Sequence, residues 1–245
     1  MTATACPGPG RTSEVIDPDL VSLTITLKLA AVTTFILFLI GTPLAWWLAR
    51  TRHVAGFLVE PLVALPIVLP PTVLGFYLLI LFSPNSGFGK AWASLTGSTL
   101  AFTFEGLVIG SVIYSLPFYV QPLQVAFSGV KQDLLDAAAT LGAGPVDRFI
   151  NIVAPVCRSG FVVAGTLAFA HTVGEFGIVL MIGGNISGET RVLSIALFDH
   201  VETLEYGRAH LMAAGLLVFS FTLLLIVYTL NRWQTGRSSS LGSGS

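Results

Sequence analysis

Five stretches of this chain are too long and too apolar to be coated by water. Leu20 to Trp47 holds one charge, Lys28; Pro61 to Phe82 holds none; Leu100 to Phe127 holds only Glu105, near its start. Phe161 to Ile182 holds Glu175 and His171, and Leu211 to Leu230 holds no charge. Each is close to the roughly 20 residues a helix needs to cross the hydrocarbon core. Unbroken apolar runs suit helices, which satisfy their backbone internally, and not the alternating strands of a membrane barrel. Composition agrees: 10% of the residues are charged, against about 25% in a soluble domain. The expected fold is an all-α integral membrane protein with about five transmembrane helices.

The first segment follows Glu14, Asp17 and Asp19 rather than a basic stretch and is too long for a signal-peptide core, so it is expected to stay. With the N-terminus outside, Arg50, Arg52, Lys131, Arg148, Arg158, Arg232 and Arg237 fall inside, and Arg11, Lys90, Arg191 and Arg208 outside. That excess obeys the positive-inside rule and predicts N-terminus out, C-terminus in. Residues 1–19 form an outer segment, 20–233 the membrane domain, and 234–245 a low-complexity, disordered tail. Outer helices are expected around Phe88 to Leu95 and within Gly183 to His210. A net charge of −1 excludes a nucleic-acid binder driven by phosphate neutralisation. Two cysteines, Cys6 and Cys157, are too few for a thiolate metal cluster, and neither metal nor cofactor is expected.

The inner connection, residues 128–158, has helical periodicity. Val130, Leu134, Ala137, Ala138 and Leu141 make one stripe, and Val146, Phe149, Ile150 and Val153 another. Gly142, Gly144 and Pro145 separate them, and Pro145 suits the first turn of a new helix. Two helical pieces meeting at a sharp corner are predicted, covered by a partner protein or lying as a hairpin on the membrane.

The residues themselves narrow the choice. Asp136-Ala137-Ala138, Gly142, Ile152 and Ala154-Pro155 fall at the spacing of the EAA loop of ABC importer permeases, with Asp136 for glutamate and Ala154 for leucine. The run Leu65 to Gly75 (LPIVLPPTVLG) is similar to the LPLVLPP-x-V-x-G stretch of molybdate and tungstate permeases. Ala168 to Gly177 (AFAHTVGEFG) resembles a stretch shared by the molybdate and sulfate branches, and Asn185 to Arg191 (NISGETR) the NIPGETRT of the molybdate branch. The resemblance covers Leu20 to Trp233. It implies a type I ABC importer permease in a bacterial inner membrane, working as two copies with two cytoplasmic ABC ATPases and an extracytoplasmic oxyanion-binding protein. Asp136, Ala137, Ala138, Gly142, Gly144, Pro145, Ile152 and Pro155 would then form the cytoplasmic coupling helix that docks on the ATPase. No Walker motif occurs in the chain, which fits an engine on another polypeptide.

Residues that disturb the spans are the candidates for pathway and gate. Pro66, Pro70 and Pro71, with Gly75, predict a break that is either a fixed packing kink or a bend that rocks. Glu175 sits where an acid is costly. A carboxylate facing an oxyanion's path would repel it, so the favoured role is bonding to helix backbone or a partner subunit. Gly174 and Gly177 would allow close approach, and His171 is its candidate partner. Lys28 is read as snorkelling outward, or as attracting anions. Thr190 and Arg191 lie in the outer loop, Arg191 as a solvated charge or as a paired donor to an entering oxyanion. The rivals are a sulfate/thiosulfate permease, a secondary transporter and an intramembrane enzyme. An enzyme would need clustered catalytic groups.

Overall fold

The computed structural model describes residues 17–51 and 53–239, with side chains described as far as 229. All regular structure among them is helical: α1 Pro18–Arg50, α2 Val54–Val68, α3 Pro71–Phe82, α4 Gly87–Thr96, α5 Phe104–Ser128, α6 Gln132–Thr140, α7 Pro145–Arg148, a π-helical turn Phe149–Val153, α8 Ala154–Val156, α9 Arg158–Gly174, α10 Gly177–Gly183, α11 Leu193–Glu202 and α12 Tyr206–Ser239. Three stretches are long and apolar enough to cross a membrane, Pro18–Arg50, Phe104–Ser128 and Tyr206–Thr229. Two bent pairs bring the number to as many as five: α2 with α3, bent by 111°, and Pro145–Val156 with Arg158–Gly174, bent by 76°.

Local chemistry sets the ends. Pro18 starts α1, where a missing N–H costs nothing. Thr103 caps α5, its hydroxyl accepting from Gly106 N at 3.2 Å. Ser86 caps α4 in the same way, and Gly97 closes that helix in the left-handed region. The helices expected around Phe88 to Leu95 and within Gly183 to His210 are α4 and α11. The last helix runs to Ser239, beyond the boundary drawn at residue 234, because nothing between Asn231 and Ser239 breaks a helix except Gly236. Residues 1–16 and 240–245, and so Cys6 and most of the two terminal segments, lie outside the described residues.

The bundle is α1, α5 and α9. The first two run in parallel: Lys28 Nζ lies 4.5 Å from the Phe104 ring centre at one end, and Arg50 donates to Val130 O at 3.0 Å at the other. α9 returns against both, its start fixed where Cys157 Sγ donates to Ala126 O at 3.4 Å. In lipid, helices gain little from apolar burial against one another and associate through close packing and hydroxyl bonds. Gly41 supplies the first, since a Cβ there would lie 2.7 Å from Tyr119 Cδ1. Thr42 and the Tyr119 hydroxyl, 3.0 Å apart, supply the second. The core divides into a cluster at the Arg50 end, around Leu37, Phe127 and Val153, and one at the Pro18 end, around Leu29, Phe82 and Ile178. α12 leaves nearly all its described side chains on the surface.

Candidate functional site

The connection between α5 and α9 is a built corner. α6 ends in a paired cap: Gly142 N donates to Ala139 O and Ala143 N to Ala138 O, both at 3.0 Å, the pattern that places the residue after the helix in left-handed backbone. Gly142 is that residue, with φ of 87° and nothing within 4 Å of where a Cβ would stand. Pro145 then opens α7. In the π-helical turn Ala154 N donates to Phe149 O, one residue further back than in an α-helix.

Arg50 clamps the corner to the bundle. It donates to Val130 O and to Gln132 Oε1, each at 3.0 Å, and lies 4.7 Å from the Trp46 ring centre. Trp46 meets Phe149 edge-on at 5.5 Å. A cleft of about 350 Å³ remains between them, lined by Arg50, Leu135 and Arg148 among others. Periodicity alone predicts one buried stripe on each piece, and the structure splits both. Val130, Leu135, Ala138 and Val153 turn inward, while Leu134, Ala137, Leu141, Val146 and Ile150 are exposed. Val130 precedes the helix, and the extra residue of the π turn rotates what lies before it. Asp136 is exposed and accepts from Gln132 Nε2 at 2.9 Å; Ile152 is partly buried, and Gly144 and Pro155 are exposed.

The disturbed spans meet each other. The second segment breaks at Leu69 and Pro70, so Pro70 and Pro71 stand at the junction while Pro66 stays buried inside α2. The fourth breaks at Glu175 and Phe176, where α9 ends and α10 begins. The two short helices beyond the breaks, α3 and α10, pack at van der Waals contact. A Cβ on Gly75 would lie 2.8 Å from Met181 Cβ, and one on Gly177 2.7 Å from Pro71 Cβ. Gly174, expected to serve the same purpose, has open space instead.

Glu175 is buried, and its Oε1 accepts from Ile178 N at 2.8 Å, capping α10. Its own carbonyl accepts from Ser194 Oγ at 2.6 Å, tying the break to α11. Its bonding partner is helix backbone and not His171, whose ring is held elsewhere. His171 stacks on Phe118 with centres 3.8 Å apart, and its Nδ1 lies 3.0 Å from Ser115 Oγ. Ser115 Oγ is 3.0 Å from Thr172 Oγ1, which donates to Ala168 O at 2.9 Å. Each hydroxyl has one proton. Thr172 uses its proton on the carbonyl, Ser115 uses its own on Thr172, and so Nδ1–H of His171 donates to Ser115. That histidine cannot act as a base toward the serine it touches, and Ser115 is buried. The nearest thing here to a nucleophile–base pair runs in the wrong direction for an intramembrane hydrolase.

Thr190 and Arg191 stand apart from the breaks. Thr190 is fully buried, donates to Gly183 O at 2.6 Å and accepts from Ile186 N at 3.1 Å. Arg191 is largely buried rather than solvated, and Asp199 holds its Nη2 at 3.1 Å. Asn185 Nδ2 donates to both oxygens of the same carboxylate. Asp199 thereby ties both residues of the loop to α11. Lys28 sits over Phe104 beside a cleft that also holds Glu105 and Glu189. Among the described residues no three His, Cys, Asp or Glu side chains gather as a metal site. Sequence reasoning missed Arg50, Trp46, Ser115 and Asp199. Arg50 gave a signal only as a charge at the end of a span, and the others gave none.

The family model for binding-protein-dependent transport system inner membrane components matches residues 41–239. The chain belongs to that family. ModB, the molybdenum transport system permease protein of Azotobacter vinelandii, is 52% identical over 220 residues, covering 90% of this chain and 97% of that protein. The ModB of Escherichia coli strain K12 is 32% identical over 219 residues, covering 89% and 93%. The sulfate transport system permease protein CysT of the same strain is 32% identical over 206 residues, covering 84% of this chain and 74% of its own. The resemblance to molybdate permeases is thereby borne out. Among solved structures, a bacterial alginate ABC transporter in complex with its pentasaccharide-bound periplasmic protein matches with a TM-score of 0.71 at 17% identity, covering 88% of this chain and 79% of that one. That likeness concerns the fold, and bears out an all-helical, type I ABC permease-like architecture.

Proposed function

We propose that this chain is the membrane-spanning subunit of an ATP-driven importer of molybdate and tungstate. The observation that carries the reading is the likeness to the Azotobacter vinelandii ModB along nearly the whole of both chains. Two copies enclose one pathway in a bacterial inner membrane. Two cytoplasmic ATPases receive the corner 128–158, and an extracytoplasmic binding protein delivers the oxyanion to the outer loops. The exposed Leu141, Val146 and Ile150 support the docking role, since three large apolar side chains at one corner need a cover. The chain itself performs no bond chemistry.

Glu175, spent on the backbone of α10, keeps a carboxylate from facing the anion. The two breaks and the α3–α10 contact are the moving parts in this reading, with Pro66, Pro70, Pro71, Gly75, Gly174, Glu175 and Gly177 serving as frame and hinge and not as ligands. Thr190 and Arg191 shape the outer surface against which the binding protein rests.

Reconstituted with its own ATPase and binding protein, the transporter is expected to take up molybdate and tungstate only when ATP is supplied, with excess sulfate competing weakly. The three are tetrahedral dianions, so net charge cannot separate them. Selection falls to the protein that encloses the ion, where a misplaced donor is left unpaired. Efficient sulfate uptake with molybdate merely inhibiting would move the chain to the sulfate branch.

Five spans with the N-terminus outside are also part of the proposal. Cys157 is buried and bonded, so it will not report topology by labelling. Ser187→Cys in the outer loop is expected to react with a membrane-impermeant thiol reagent from the outer face alone, and Asp133→Cys at the corner from the inner face alone. Reversed labelling of either would overturn the orientation.

A further inference from the structure

At the Pro18 end, one histidine holds three helices. His200, on α11, is buried. Its Nδ1 lies 2.9 Å from Glu205 Oε2, just before α12. Its Nε2 lies 3.1 and 3.2 Å from the two oxygens of Asp19, in the first turn of α1. Arg208 of α12 reaches the same Asp19 carboxylate at 3.6 Å.

An ionised carboxylate only accepts, so a ring with a carboxylate on each nitrogen needs an N–H on each. Both contacts exist together only in the imidazolium. Loss of one proton turns one of them into a lone pair facing a carboxylate; the ring and Asp19 are largely buried, and the Glu205 carboxylate is exposed.

What lies beneath makes this junction matter. Between α1 and α12 runs an apolar groove of about 410 Å³, with Leu23, Leu27, Leu216 and Phe219 among its walls and Asp19 at its rim. Ion pairs close the groove at this end. Among the described residues the other charged groups near the ring are accounted for, with Asp17 exposed ahead of α1. Asp199 of α11 is taken up by Arg191 and Asn185, Glu202 is exposed on α11, and Tyr206 and His210 are exposed at the start of α12. From α1 only Asp19 faces the ring, and Lys28 lies at Phe104.

We propose that His200 is a proton-operated latch, which as the imidazolium ties α11 and the start of α12 to the start of α1 and on deprotonation lets α12 part from α1. Gain of the proton closes the latch and its loss opens it. The sign follows from the proton count. The latched form holds one proton that the opened form gives up, so its stability falls as pH rises.

The test uses the full chain in lipid nanodiscs, with spin labels at Leu20 on α1 and Leu211 on α12, and thermal unfolding measured in parallel. The wild-type chain should show one narrow distance at pH 6 and a broader, longer distribution at pH 9, with the apparent Tm lower by roughly 5 °C. His200→Gln should give the broad distribution and the lower Tm at both pH values. Asp19→Asn, which leaves the ring in place and removes one carboxylate, should also abolish the pH response. A wild-type response that persists in His200→Gln, or a narrow distance at pH 9 in the wild type, would overturn the latch. Neither readout depends on which ion is carried.

Discussion

Gly177→Val is expected to abolish uptake and to lower the apparent Tm, while Gly174→Ala, three residues earlier, leaves both near wild type. The two glycines flank the same break, and sequence treats them alike. Structure does not. A Cβ at Gly177 falls 2.7 Å from Pro71 Cβ and 3.7 Å from the backbone nitrogen of Thr72, whereas one at Gly174 meets nothing within 4 Å. Pro71 has no rotamer to move out of the way, because its ring is closed on the backbone at the start of α3. The α3–α10 contact has to open instead. Overpacking of this kind costs about 1–3 kcal/mol, more for a branched side chain, so a fall of roughly 5–10 °C is expected. Uptake by reconstituted transporter and thermal unfolding in detergent check it. Equal behaviour of the two variants would show that α3 and α10 do not depend on this contact.

At the corner the expected loss has a different cause. Gly142→Val should cut ATP-dependent uptake about tenfold or more in a chain that still inserts and still binds its ATPase, and Gly142→Asn should retain most of it. Nothing crowds Gly142; its φ of 87° is the constraint. A side chain in left-handed backbone costs roughly 1–2 kcal/mol, most for β-branched residues and least for Asn, and about 1.4 kcal/mol is a factor of ten. Parallel assays of hydrolysis and uptake separate a misdirected corner from a lost one. Full uptake by the valine variant would mean that the turn after α6 is not a working part.

Hydropathy located five apolar segments, all of which fold as helix, and could not see direction. Pro61 to Phe82 reads as one run whether or not it turns by 111° at Leu69, since composition is blind to a bend. The paired prolines marked that break. The break at Glu175 was marked only by two glycines, of which Gly177 makes the close contact. The corner was legible to the residue at Gly142 and Pro145, because stop and start signals there are local. What was hidden is pairing across the sequence. Arg191 with Asp199, His171 with Ser115 and Arg50 with Val130 join residues that no local pattern connects. For the same reason no local pattern joins His171 to the Ser115 hydroxyl that holds it, and its nearest acid in sequence, Glu175, is not its partner.

The π-helical turn at Phe149–Val153 acts as a phase shifter. Along an ordinary helix each residue advances the side chains by about 100° and about 1.5 Å. One surplus residue between Arg148 and Ala154 therefore sets the azimuth of everything before it relative to α9. Val146 and Ile150 look outward, and Val153 and Cys157 inward, by virtue of that surplus. This part of the chain counts its residues in a way a loop does not. A gap of one position there in a related sequence would turn the whole corner by more than a quarter of a revolution, so the spacing between Gly142 and Pro155 is a dimension of the machine, fixed as tightly as a gear's tooth number.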